Sequence, residues 1–195
     1  MKHLIWAPRF RNRLPMELGS LDIIDYWFSE NSEKYWFSST PEIDKEIKQH
    51  YEQLWQSAAD GMYDEWQNSP EGSLALVIIL DQFPLNMFRG QPKSFQTESK
   101  AVKIAMNAIS HGFDRKLSEE KLLFLFMPLM HSENMKDQDL QVRLFQKYNF
   151  NLEYSKHHRD IIKRFGRFPH RNDILGRKST EAEIKYLQSD SAFKG

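Results

Sequence analysis

Cysteine is absent from all 195 residues. That excludes disulfides, zinc ribbons, iron–sulfur clusters and cysteine nucleophiles together, and it suits a reducing cytosol. Long apolar runs are missing as well. The longest, Leu122 to Met130, is nine residues with Pro128 inside it, whereas a membrane-spanning helix needs about 20. The first nineteen residues are basic and lack the continuous apolar core of a secretory signal. A cytoplasmic protein with no membrane partner is expected. The HExxH spacing, the glycine-rich phosphate loop and the nucleophile elbow are also missing, so no ready-made catalytic motif is present. What remains is a chain of one-domain length, large enough to bury a core without metal or disulfide staples.

A net charge of one sign is lacking too, with 27 Lys and Arg against 27 Asp and Glu, but the balance hides an asymmetry. Residues 1–19 hold Lys2, Arg9, Arg11 and Arg13 against Glu17. Residues 156–178 hold Lys156, Arg159, Lys163, Arg164, Arg167, Arg171, Arg177 and Lys178 against only Asp160 and Asp173. The body between them is acidic. Either an anionic partner meets the basic segment, or that segment lies against the acidic body; intramolecular pairing is the commoner fate in a neutral protein. The acidic remainder of the surface argues against nucleic acid, which a long polyanion's repulsion disfavours.

Apolar residues recur with helical period nearly throughout, and the punctuation is that of helix ends. Ser20 precedes a first helix containing Leu21, Ile24, Tyr26 and Phe28. Thr40, Pro41 and Glu42 form a helix start: the hydroxyl accepts an orphan amide bond, and proline at the first position loses nothing. Asn68 to Gly72 reads as a turn into Leu74–Leu80, apolar all round and expected to be a central helix, with Pro84 and the Arg89, Gly90, Pro92 cluster breaking the chain beyond it. Further helices are expected from Ala101 to Ile109, from Ser118 until Pro128 kinks or ends it, near 134–147, and near 152–165 up to Gly166. Thr180 with Glu183 three residues on is a capping box for a terminal helix. The expected fold is all-α, built of stacked antiparallel helix pairs, as one domain over 20–195 with a flexible basic extension at 1–19. Met16 is a candidate second start within that extension. No sequence repeat is legible.

Three stretches concentrate polar residues beside proline or glycine. The first is Asp81, Gln82, Phe83, Pro84, Asn86, Phe88 and Arg89. Asp81 leaves a buried helix at the edge of the core, where an unpaired carboxylate is costly; it is either a structural ion pair, with Arg89 nearest in sequence, or an acid perturbed for use. The second is Met127, Pro128, His131, Ser132 and Glu133, with Gln138 further on, in a loop position that suits displayed functional groups. The third runs from His157, His158, Arg159 and Asp160 through Arg164 and Arg167 to His170, Arg171, Asn172 and Arg177. Its arginines read as helix caps and partners of the acidic body, or as forks that bind phosphate or carboxylate.

At these same stretches the strings LALVIILDQFPLNMFRG, LFMPLMHSENMKDQ and HHRDIIKRFGRFPHRNDILGRKSTEAE, with the early DYWF, closely resemble a largely bacterial family catalogued as domain of unknown function 924. The likeness runs from about Leu21 to Leu187. It implies an all-α, tetratricopeptide-like fold and no established activity. Where that family usually carries arginine after the DQFP string, this chain carries Leu85.

Three functional readings follow. In the first, Asp81, His131, Glu133, His158, Arg164, Arg167, His170 and Arg171 line a polar pocket for a small anionic ligand or an acidic peptide end. In the second, at least three of His131, Glu133, His157, His158, Asp160 and His170 converge on a metal for hydrolysis, with Glu133 or Asp160 as general base. In the third, the domain is an interaction scaffold, which requires an open groove with exposed apolar residues. Whether a cofactor is used is left open by the sequence, and the helical phase of Ile161 and Phe165 places His158 rather than His157 on the apolar side.

Overall fold

The computed structural model describes residues 18–193. Residues 1–17, and with them most of the expected extension, lie outside the described residues. Leu18 is buried against the core, and the Gly19 amide is taken by the Asp22 carboxylate at 2.8 Å to open the first helix.

The described residues contain helices and no strand. α1 (Ser20–Trp27), α2 (Glu30–Glu33) and α3 (Pro41–Ala59) are followed by a 3-10 turn and α4 (Pro70–Val77). Thr40 caps α3 through the Ile43 amide, with Pro41 in the first turn. Ser69 caps α4 by accepting from the Gly72 amide at 3.1 Å, so the expected turn at 68–72 is the first helical turn itself. Gly72 is there for space: a Cβ would collide with the Trp66 carbonyl.

Leu74 to Leu80 is fully buried, which is why it is apolar on every face. α4 packs against α1, α6 and α7 and is the central helix. It does not stop before Pro84. It loosens into a π-helical segment, Ile78–Gln82, in which the Phe83 amide donates to the Ile78 carbonyl five residues back, and continues as α5 (Phe83–Met87). The physical reason is that proline has no amide for the carbonyl four residues back, here Leu80. That carbonyl is taken by the Thr97 hydroxyl at 2.5 Å, which in turn accepts from Trp55 Nε1 at 3.0 Å.

The remaining elements are α6 (Glu98–Ser110), α7 (Glu119–His131), α8 (Met135–Lys147), α9 (Leu152–Phe165) and α10 (Glu181–Leu187). From α6 to α9 each helix packs on the next, as antiparallel pairs joined by short loops do. α7 carries Pro128 inside it and runs on to His131 rather than ending. α9 ends as expected at Gly166, whose φ of 71° is the left-handed cap that glycine adopts freely. A second, smaller apolar cluster of Ile161, Ile162, Phe168 and Tyr186 joins α9 to the C-terminal elements.

Candidate functional site

The π-segment decides where the first polar group points. π-turns inside α-helices recur at functional sites because the extra residue rotates a side chain out of register. Here the residue presented is Asp81, 4% exposed. Its oxygens lie 2.9 and 3.0 Å from Nδ1 of His131, the last residue of α7, and Gln82 Nε2 donates to the same carboxylate. A ring nitrogen between two carboxylate oxygens must carry the proton. The tautomer is thereby fixed, and Nε2 of His131 has no partner among the described residues.

Glu98 completes the cluster. The Thr97 hydroxyl that satisfies Leu80 pins the start of α6 beside the π-segment, so the residues next in sequence, Glu98 and Asp81, are drawn into one region. Arg171 binds both halves: Nη1 donates to Glu98 Oε2 and Nη2 to the His131 carbonyl, each at 2.8 Å. Its guanidinium lies between the rings of Phe95 and Phe168, at 4.4 and 4.7 Å. Burial pushes the Glu98 carboxyl up to about 7, with the Asp81 charge adding to the shift and Arg171 and His131 opposing it. Glu98 therefore changes protonation near neutral pH, and its side chain, like that of His131, is about one fifth exposed (20% and 21%).

The loop that delivers Arg171 is held by ion pairs. Glu133 accepts from Arg177 through both oxygens, at 2.6 and 2.9 Å, and from the Phe168 amide at 2.8 Å. Arg167 meets Glu183 at 2.6 and 2.9 Å, and Glu183 also takes the Thr180 amide of the capping box. Glu133 and Arg167 are thus fasteners of the loop on which Arg171 and His170 sit. Arg159 pairs with Asp139, and Arg164 is exposed, its guanidinium over Phe165 and Tyr186. The basic segment lies against the acidic body through three carboxylates, Glu98, Glu133 and Asp139.

His158 and His170 stand beyond Phe168, whose ring is 5.8 and 5.5 Å from theirs. Burial holds each imidazole down to about 4 and so neutral at pH 7. His158 is 2% exposed, while His157 is only partly buried.

Of the eight residues expected to line one pocket, Asp81, His131 and Arg171 meet directly, His158 and His170 lie across Phe168, Glu133 and Arg167 are engaged in internal ion pairs, and Arg164 is apart. No group of three or more His, Asp or Glu side chains among the described residues could hold a metal ion, and Asp160 is exposed beside Arg159. The convergence required for the metal-assisted hydrolase is not met there. Sequence reasoning missed Glu98 and Thr97, and it placed Arg177 in the basic stretch without assigning it to the site. Only the helix-start character of Thr97-Glu98 hints at the first two, and nothing in spacing predicts that Glu98 turns inward. Two surface clefts lie away from these residues, one lined by Tyr26, Trp27, Tyr35, Ile43 and Ile47, the other by lysines and polar residues of α3 with Lys93.

A family model described as bacterial protein of unknown function (DUF924) matches residues 23–191. The chain belongs to this family. The matched span takes in every residue of the cluster, from Asp81 to Arg177. A solved structure described as a protein of unknown function, ATU0120 from Agrobacterium tumefaciens, is 36% identical and superposes with a TM-score of 0.81, covering 87% of this chain and 96% of that one. No curated protein matches. No described helix is long and apolar enough to cross a membrane.

Proposed function

We propose that this domain binds a small polar molecule at the Asp81–His131–Glu98 cluster and moves a proton on it. His131 Nε2 accepts the proton, Asp81 orients the ring and stabilises the imidazolium that forms, and Glu98 supplies a proton donor near neutral pH. The observation that carries this reading is the hold of both Asp81 oxygens on His131 Nδ1. It leaves one imidazole nitrogen as a fixed, partly exposed base. A packing histidine needs no such orientation from a buried carboxylate.

The anionic ligand or acidic peptide end takes second place here. Arg167, Arg171 and Arg177 already meet carboxylates, so an incoming anion would have to displace one of them. A substrate bearing a hydroxyl, an amide or a weakly acidic C–H meets His131 first. The scaffold reading is weaker still: the exposed large apolar residues Leu21, Phe37, Met62, Met106, Tyr154 and Ile184 stand on six separate segments.

Nitrogen-15 histidine spectra test the reading. His131 is expected to carry its neutral-state proton on Nδ1, and Asp81→Asn is expected to shift that preference. Acetate, inorganic phosphate, glycerol and acetamide are then titrated in; at least one is expected to move the His131 ring signals, with the effect lost in His131→Gln. A proton found on Nε2, or ring signals indifferent to all four probes, refutes it.

A further inference from the structure

The C-terminal tail places one aromatic ring over two imidazoles that the acid–base cluster does not use, buried His158 and half-buried His170. Beyond α10 the chain turns back, and the Phe193 ring centroid comes to 4.4 Å from His158, 5.0 Å from His170 and 6.1 Å from Tyr154. Phe168 closes the far side of both imidazoles. The result is a cage of rings around a single phenyl group, and it demonstrates that a six-membered planar ring fits there.

The phenyl ring is chemically a poor match for what surrounds it. His158 Nδ1 lies 2.9 Å from the Tyr154 carbonyl, which only a donor can approach, so Nε2 carries the lone pair. No described group donates to that nitrogen. Nδ1 of His170 is buried with no partner among the described residues. An apolar cover leaves His170 Nδ1 unsatisfied, and a buried polar atom without a partner is the exception that calls for an explanation. Two imidazoles kept neutral by burial can each donate or accept.

Phe193 is also easy to remove. It is only partly buried, it packs at the edge of the small apolar cluster rather than within it, and its amide donates to the Tyr186 hydroxyl at 2.9 Å. α10 ends at Leu187, so the tail can swing away without disturbing a helix.

We propose that the cage of Tyr154, His158, Phe168 and His170 is a binding site for a planar ring bearing a hydrogen-bonding heteroatom, a phenol or a nitrogen heterocycle, and that Phe193 holds its place until such a ring displaces it. The ring sits where Phe193 sits, edge-on to its neighbours, and its heteroatom meets His158 Nε2 or His170 Nδ1. The site is separate from the proton-transfer cluster, being reached from the tail side of Phe168.

Phenol and adenine, with toluene as an apolar control, are titrated into full-length wild type and Phe193→Ala while the His158 and His170 ring signals are followed by NMR. Phenol or adenine is expected to bind Phe193→Ala at least about tenfold more tightly than wild type, and about tenfold more tightly than toluene does. His131→Gln is expected to leave this binding unchanged, which separates the result from the fate of the proton-transfer reading. Equal binding of toluene would reduce the cage to an apolar void, and no binding of any probe up to about 10 mM would remove the site; either overturns the proposal. If Phe193→Ala does not fold, Phe193→Leu keeps an apolar cover without the ring. Binding of phenol or adenine by that variant upholds the site, and its failure to bind them refutes it.

Discussion

Stability should climb as pH rises from about 4 to 6.5, and the slope can be worked from three residues. His158 and His170 fall from 6.5 to about 4 on folding, chiefly through burial. Between those values the unfolded chain binds a proton at each and the folded chain does not, so each contributes about 1.4 kcal/mol of stability per pH unit, rising with pH. Glu98 works the other way. Its folded value is raised from 4.5 to about 7, so the folded chain holds the extra proton, and about 1.4 kcal/mol per pH unit is lost as pH rises through that window. Between about pH 5 and 6.5 the net is one histidine's worth, a gain of about 1.4 kcal/mol per unit. Urea unfolding followed by circular dichroism at half-unit steps measures it. His158→Gln should flatten the profile in that interval, and Glu98→Gln should steepen it to about 2.7 kcal/mol per unit. A flat wild-type profile, or one that neither variant alters, would show that these groups are not buried as described.

Thr97→Val keeps the shape but strands two buried groups, the Leu80 carbonyl and Trp55 Nε1. A loss of about 2–4 kcal/mol is expected, read as a melting temperature lower by roughly 5–12 °C; a fall of under about 2 °C would mean that the Pro84 gap is filled some other way. Glu133→Gln weakens the clasp on Arg177 and Phe168. About 2–3 kcal/mol should be lost, discounted for side chains about one quarter exposed, and hydrogen exchange should accelerate at the amides of residues 168–177 before it does in α4. Uniform acceleration across the chain would refute the local role.

The helices were legible because their ends are written in short-range chemistry. Thr40-Pro41, Gly166 and the Thr180–Glu183 box each satisfy orphan backbone groups within a few residues, and the apolar Leu74–Leu80 run says burial on every side. Pro84 was misleading only in place: the helix runs on to Met87 before the chain breaks, because a lost backbone bond can be supplied from far away, as the Thr97 hydroxyl supplies it to Leu80, and no local rule reports that. Asp81 and His131 were recognisable as polar residues at the edges of apolar runs. Their pairing spans 50 residues and depends on the π-turn, whose signature is only a proline following a buried helix. Glu98 was invisible for the same reason: its neighbours Asp81, His131 and Arg171 come from three other parts of the chain.

The π-segment, the Thr97 bond and the Arg171 bridge are best understood as one device. An α-helix carried straight through residues 78–82 would need no outside help at Leu80, and the core around α4 is otherwise uninterrupted apolar packing. Placing proline at 84 creates an unsatisfied carbonyl, which costs stability unless something reaches it. Thr97 reaches it, and in doing so fixes the first residue of α6, Glu98, next to the segment that presents Asp81. Arg171 then neutralises Glu98 and grips the His131 carbonyl, so the last residue of α7 is held while its ring is turned by Asp81. A scaffold could satisfy each of these groups with an apolar substitute at lower cost, since replacing buried ionic clusters by hydrophobic residues is often neutral or stabilising. What such a replacement would remove is the oriented, partly exposed Nε2 of His131, held ready by Asp81 on the other side of the ring.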